Sequence, residues 1–304
     1  MLQVLVNSLA LGSAYALLAL GFVLILNAVN AVNFAQGDLV MAGGFVAVAF
    51  GMLLPVPGIV LLPLVLAVMA LIGLALAATA YFPLKSRPPA SVFISTIAVG
   101  IILQNLANAL FGAEPRAAPS LFAGGLVEFG GIVISRQALA IIAVAAVMIA
   151  AQYVLFQRTA LGRKLRATAQ DREMAEALGI RVNHVIAAIF AVAAAYAGAA
   201  GLLLANTFFV TPTDGGNYIL KAYIAVVIGG WGSVPGAVAG ALLIALFEVV
   251  LPSLPLIVPG LAGLPGASWL FSQTIATILL YLMLLVVLVV RPQGLFGEAV
   301  HRRA

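Results

Sequence analysis

The chain has 304 residues, 64% of them hydrophobic and only 8% charged, with a mean hydropathy of +1.23 and a formal charge of +5. Soluble domains carry roughly 25% charged residues, so a soluble fold is excluded. The positive charge requires no nucleic-acid partner, since basic residues on one side of a bilayer are what topology demands.

Cysteine is absent, which removes disulfides, thiol chemistry and Cys-ligated metal. In chain order, the first apolar segment spans 4–26. It lacks a basic leader region and a convincing small-residue cleavage site, so it reads as a retained span rather than a signal peptide. The stretch "NAVNAVNFAQGD" (27–38) follows, where the spacing of Asn27, Asn30 and Asn33 by three either lines them along one helical side or lets them satisfy backbone groups if the helix breaks there, before Gln36 and Asp38. Further apolar segments occupy 38–54, 58–81 and 91–112, and the last of these contains Gln104, Asn105 and Asn108. Residues 113–136 form an outer connection whose "GGLVEFGGIVIS" alternates between glycines, and a small hairpin is expected there. Segment 137–156 leads into a charged stretch, and 184–206 follows it.

Segments 218–229 and 236–251 read as short for a crossing and are separated by "GGWGSVPG", which cannot continue a helix. Two short tilted spans and a broken, re-entrant hairpin over 218–251 both fit this pattern. The Pro- and Gly-rich 252–267 reads as an outer loop or interfacial turn, and 268–290 is the last span. Continuous apolar stretches of about 20 residues, without alternation of faces, indicate helices rather than a barrel. The expectation is an all-α polytopic membrane protein with about eight to nine transmembrane segments, forming one membrane domain over 1–304.

Lys85 and Arg87, the charged stretch, and Arg291, Arg302 and Arg303 fall on one face of an alternating path. The positive-inside rule makes that face cytoplasmic, with the C-terminus inside and the N-terminus outside.

The charged stretch, within a cytoplasmic segment 158–183, is "GRKLRATAQDREMAEALGIRV" (162–182). Leu165–Leu178 is rich in helix formers, and Gly179 is placed as a stop. Met174, Ala177 and Leu178 share a face, and the alanines keep part of the surface shallow. Such a helix suits docking in a groove of a soluble partner, although basic loops are the default in membrane proteins.

The run "GRKLRATAQDREMAEALGI" resembles the coupling segment of ABC-transporter permeases, in the version carried by the branched-chain amino acid permease family. "LGSAYALLALGFVLILNAVNAVNFAQGDLVMAGGF" (11–45), "KAYIAVVIGGWGSVPGAVAGALLIALFE" (221–248) and "RPQGLFG" (291–297) resemble that family's other signatures. The resemblance implies an importer of the bacterial inner membrane. Two ATP-binding cassette subunits would dock on the cytoplasmic loops, and a periplasmic substrate-binding protein would deliver branched-chain amino acids or related amides or urea. A second, related permease would complete the pore, as a heterodimer in preference to a homodimer, surrounded by membrane lipid. On this view Gly162, Arg166, Ala167, Ala175 and Gly179 form the ATPase-coupling interface.

The sequence contains no G-x-x-x-x-G-K-[ST], and none of Lys85, Lys164 and Lys221 follows the required glycine. A P-loop is therefore excluded, and ATP with its Mg would sit on partner subunits, leaving this chain without a cofactor or catalytic residues. Neither His184 nor His301 has a partner for catalysis, and no cluster has metal-ligand spacing. Asn33, Gln104, Asn108, Lys221 and Glu248 are candidates for lining a translocation path. The competing assignments are helix-joining amides for the first three and an interfacial anchor or structural ion pair for the last two. An ATP-independent secondary transporter would need a carboxylate deep in the membrane, and from sequence Asp38 and Glu248 lie near segment ends.

Overall fold

The computed structural model describes residues 2–122, 125–129, 132–263, 266–291 and 293–296. Arg302, Arg303 and His301, the end of the "RPQGLFG" motif, and the tip of the outer hairpin lie outside the described residues.

The first helix, α1 (Leu2–Val29), is the hub of the bundle. From Ser8 to Leu26 every residue except Leu9 is buried. A helix buried on all sides needs small residues where its neighbours approach, and α1 supplies Ala10, Gly12, Ala14, Ala16, Ala19 and Gly21. Next in the chain come α2 (Gln36–Leu53), α3 (Gly58–Leu76) with a π turn (Ala77–Tyr81) and a 3-10 turn (Phe82–Leu84), and α4 (Pro89–Phe111). The outer connection carries the expected hairpin, β1 (Leu126–Phe129) antiparallel to β2 (Ile132–Ser135). Its preceding loop is tied down by paired backbone bonds between Arg116 and Val210, at 3.0 and 2.8 Å.

Helix α5 (Arg136–Arg158) leads to two short helices, α6 (Ala160–Gln170) and α7 (Arg172–Ala177), then the long α8 (Val182–Phe208). Next come α9 (Gly215–Gly229), α10 (Val234–Ile257), two single turns α11 (Pro259–Ala262) and α12 (Ala267–Leu270), and α13 (Gln273–Val290). Among the described residues eight helices are long and apolar enough to cross a bilayer, the extended α3 through Leu84 counting as one. α9 is a shorter apolar helix.

The pair joined by "GGWGSVPG" is unequal. α10 has 24 residues and is a full-length span, because the helix continues through Pro252 and Pro255 into what reads from sequence as a loop. Ser253 Oγ donates to the Val249 carbonyl there, at 2.7 Å. α9 has 15 residues, about 22 Å at the helical rise, short of the roughly 30 Å hydrocarbon core. The two are antiparallel and very close, the backbone of Gly236 lying where a Cβ on Gly229 would go. Their turn needs Gly230 (φ 118°) and Gly232 (φ 79°), conformations that side chains resist.

All the basic connections gather at one end of the bundle. Lys85 Nζ reaches Asn183 Oδ1 at the start of α8 (3.2 Å), and Arg172 on α7 donates to Tyr81 Oη (3.0 Å). A buried cluster joins Leu24 and Ile25 of α1 to Tyr81, Leu165, Ala175 and Val185. The backbone of Leu295 and Phe296, beyond α13, bonds to Ile228 and Gly229 at the same end.

Candidate functional site

Two features stand out: a charged two-helix element at the basic end, and a polar cavity toward the opposite one.

The basic-end element differs from the single helix expected over Leu165–Leu178. Asp171 (φ −152°, ψ 110°) breaks it, closing α6 and capping α7 by accepting from the Met174 amide at 2.9 Å. Aspartate favours this arrangement because its short carboxylate satisfies an otherwise orphan amide at a helix start. Gly179 does end the run, at φ 81°, with the Ile180 amide returning to the Ala175 carbonyl.

This break sorts the five expected coupling residues. Ala175 is 2% exposed and packs inward with Tyr81 and Val185. Gly162 is also buried, held so closely to the Phe156 backbone that a side chain would collide. Ala167 is half-buried, whereas Arg166 and Gly179 are exposed. Arg166 donates to the Phe156 carbonyl, so it also braces the end of α5. The outward surface of α7 is formed by Met174 (58% exposed), Leu178 (74%), Glu173, Glu176 and Ala177. Two large apolar side chains among acids, at the end where the basic connections gather, form a surface suited to a protein partner. The heptad-like spacing identified the Met174–Ala177–Leu178 face, but which face the bundle buries depends on the break at Asp171.

Toward the opposite end, Lys221 of α9 and Glu248 of α10 form an ion pair at 2.7 Å. Glu248 Oε1 also accepts from Gln273 Nε2 (3.0 Å), and Oε2 accepts from the Tyr15 hydroxyl (3.1 Å). Lys221 Nζ donates to that same Tyr15 oxygen (2.5 Å) and lies 4.8 Å from the ring centroid. The ion-pair assignment therefore describes their geometry, but the pair is not buried in a solid core. It borders a cavity of about 550 Å³ with Tyr15, Asp214, Asn217 and Gln273. The remaining wall includes Leu11, Leu204, Phe208, Val249 and Pro252. Phe208 ends α8 and Gln273 begins α13, which sets the cavity toward the end opposite the basic one. Nothing local in sequence marks Tyr15, Asp214 or Gln273 as neighbours of the Lys221–Glu248 pair. Tyr15 and Glu248 alone are 233 residues apart.

A third cluster corrects the sequence reading of Asp38. Gly100, midway along α4, faces Asp38 Oδ2 so closely that a side chain would clash, and Gly215 does the same at Oδ1. Gln104 Nε2 donates to Asp38 Oδ1 at 2.8 Å. Asp38 is buried and level with the centre of a full-length span, not at an end. Glu248 likewise lies in the second half of α10 with nine residues beyond it. Neither acid is therefore at a segment end: α2 begins below the surface, after the non-helical turn 30–35, and α10 is longer than its apolar core suggests.

The other path candidates separate. Asn33 is buried and serves the turn before α2, accepting from the Ala35 amide (3.1 Å) and donating to Gln36 Oε1 (3.5 Å). Gln104 supports Asp38. Asn108 is exposed on the outer face of α4, and the structure does not bring it to the cavity. Asn27 donates to the Gly232 carbonyl (2.9 Å) and locks the α9–α10 turn to α1.

Comparison with known proteins places these features in a family. Residues 4–288 match the model described as branched-chain amino acid transport system / permease component. The high-affinity branched-chain amino acid transport system permease protein BraD of Pseudomonas aeruginosa is 32% identical, over 98% of this chain and 96% of that protein. LivH of Escherichia coli K12, bearing the same description, is 31% identical over 98% of this chain and 96% of its own length. LivH of Methanocaldococcus jannaschii, a probable branched-chain amino acid transport permease, is 27% identical over 97% and 92%.

Proposed function

The chain belongs to the permease-component family of branched-chain amino acid transport systems, and from that premise we propose that it forms the membrane path of an ATP-driven importer for these amino acids. The chain itself is a multi-pass membrane permease and not an enzyme. The observation that carries the reading is the match to permeases over nearly the whole length of both chains. The charged α6–α7 element, at the place where an energy-supplying partner would attach, supports it.

ATP and Mg are bound by two partner subunits, which dock on the α7 surface of this chain and of a second, related permease. A periplasmic binding protein delivers the solute to the opposite end. The positive-inside rule supports a cytoplasmic position for the α6–α7 end and the C-terminus, with the N-terminus periplasmic. Nucleotide-driven closure of the ATPase pair moves the two α7 elements together, and the membrane helices respond by opening the path outward. The deep acids Asp38 and Glu248 do not by themselves favour an ion-coupled carrier, because each is hydrogen-bonded within the bundle.

The test is reconstitution. The tagged chain is purified in mild detergent with whatever co-elutes, placed in liposomes, and assayed for leucine, isoleucine and valine uptake with and without ATP. The reading expects co-eluting ATPase activity and uptake that stops when ATP is withheld. A chain that arrives alone and transports without ATP refutes it.

A further inference from the structure

We propose that the cavity between α1, α8, α9, α10 and α13 is a binding site for an α-amino acid with an aliphatic side chain, and that Lys221 and Glu248 are its specificity-determining residues. The proposal rests on the importer reading above and specifies where the solute is held.

The chemistry of the wall argues for this ligand class. An α-amino acid carries one carboxylate and one ammonium on adjacent atoms. The cavity offers a cation, Lys221, beside an anion, Glu248, paired at 2.7 Å, one counter-charge for each end of such a head group. The hydroxyl of Tyr15 contacts both members of the pair, so either charge can turn toward a ligand while the other stays hydrogen-bonded. Asp214 and Asn217 add a second acceptor group and an amide on the α9 side. One cation against two acids suits a zwitterion or a cation better than a simple carboxylate lacking an amine. Leu11, Leu204, Phe208, Val249 and Pro252 give the aliphatic tail an apolar surface to leave water for. The side chains of Lys221 and Glu248 are 20% and 8% exposed. They are neither surface anchors nor sealed in the core, so a ligand can reach them.

A purely structural bolt between α9 and α10 uses the same contacts, so the experiment must separate the two roles. Three variants of the reconstituted complex are compared with wild type for ATP-driven leucine uptake, with assembly and ATP turnover measured beside it. Lys221→Met/Glu248→Gln removes both charges together, which leaves no unpaired buried ion. Lys221→Glu/Glu248→Lys keeps the pair and reverses its polarity. Asn217→Trp leaves the pair alone and fills the cavity from an exposed position. The proposal expects all three to assemble and to lose uptake by roughly tenfold or more, with ATP turnover retained. Uptake within about twofold of wild type in the reversed pair and in Asn217→Trp overturns it, and leaves the pair as a bolt. If the neutral pair fails to assemble, the Asn217→Trp result decides by the same criteria. A wild-type complex that moves no leucine with ATP is a different failure: it overturns the importer reading, and the amino-acid ligand with it.

Discussion

Leu178 gives the sharpest test of the docking surface. Its side chain is 74% exposed and Met174 is 58% exposed, on a short helix whose inner face is already packed. Fully burying a leucine is worth about 1.5–3 kcal/mol, so covering the exposed three quarters of Leu178 is worth about 1–2 kcal/mol to a partner that seats on it. Leu178→Ala should then weaken binding of the ATPase subunits by about 5–30-fold. Leu178→Asp should weaken it further, because the carboxylate must be desolvated beside Glu173 and Glu176. Neither change touches the bundle, so the thermal midpoint of the permease alone should stay unchanged. The assay titrates purified ATPase subunits against immobilised permease and follows ATP-driven uptake in parallel. Ala175→Arg cannot replace these variants: at 2% exposure the arginine would displace α7 from Tyr81 and Val185, and loss of coupling would follow from misfolding alone. Undiminished subunit binding and uptake with Leu178→Asp would refute the docking role of α7.

Three further outcomes follow from the geometry. Glu248→Ala, which strands Lys221 beside Tyr15, should destabilise the permease by about 3–5 kcal/mol, read as a shift in denaturant midpoint; Lys221→Met in the same background should restore most of it. Gly43→Val should prevent stable folding, since the backbone of Gly198 occupies the space a side chain needs, and little monodisperse protein should be recovered on gel filtration; Gly260→Val, facing open space, is the control. Asp171→Ala removes the α7 cap at a cost of about 1 kcal/mol, and should raise amide exchange in 172–178 while leaving α8 protected.

The helical class, the basic face and the outer hairpin were legible because each is written locally: runs of apolar residues, clustered arginines, and alternation between glycines. What was not legible depends on contacts between distant segments. Asp38 follows a polar stretch and looks like a helix end. It lies deep because Gly100 and Gly215 lack side chains and leave room for its carboxylate, and no window of sequence contains all three. The same holds for the ring of Tyr15, Lys221, Glu248 and Gln273. The α7 face was half legible: periodicity identified the apolar residues, but the choice between Ala175 and Leu178 as the outward side turns on the chain reversal at Asp171.

The arrangement also constrains how a push at α7 can travel. α7 is bound to the rest by Arg172 on Tyr81 and by Ala175 in the buried cluster, so it cannot swing free of α3 and the start of α8. α8 in turn meets α2 where glycines bring backbones together, Gly198 on Gly43 and Gly201 on the Val40 carbonyl. Contacts of that kind have no side-chain slack, and packed interfaces move as units rather than deform continuously. A displacement of α7 is thus handed to α3, α8 and α2 as a block. α9 joins that block through α2, where Asp38 lies against Gly215 and Gly37 lies on the Gly215 carbonyl. α10 follows α9 through the close approach of Gly229 to Gly236 and of Gly240 to the Ala225 carbonyl. The path from α7 to the cavity therefore runs through packed backbones, with α8 supplying Leu204 and Phe208 to its wall and α9 and α10 supplying Lys221 and Glu248. Nucleotide-driven movement would reach a solute bound there without passing through any flexible link.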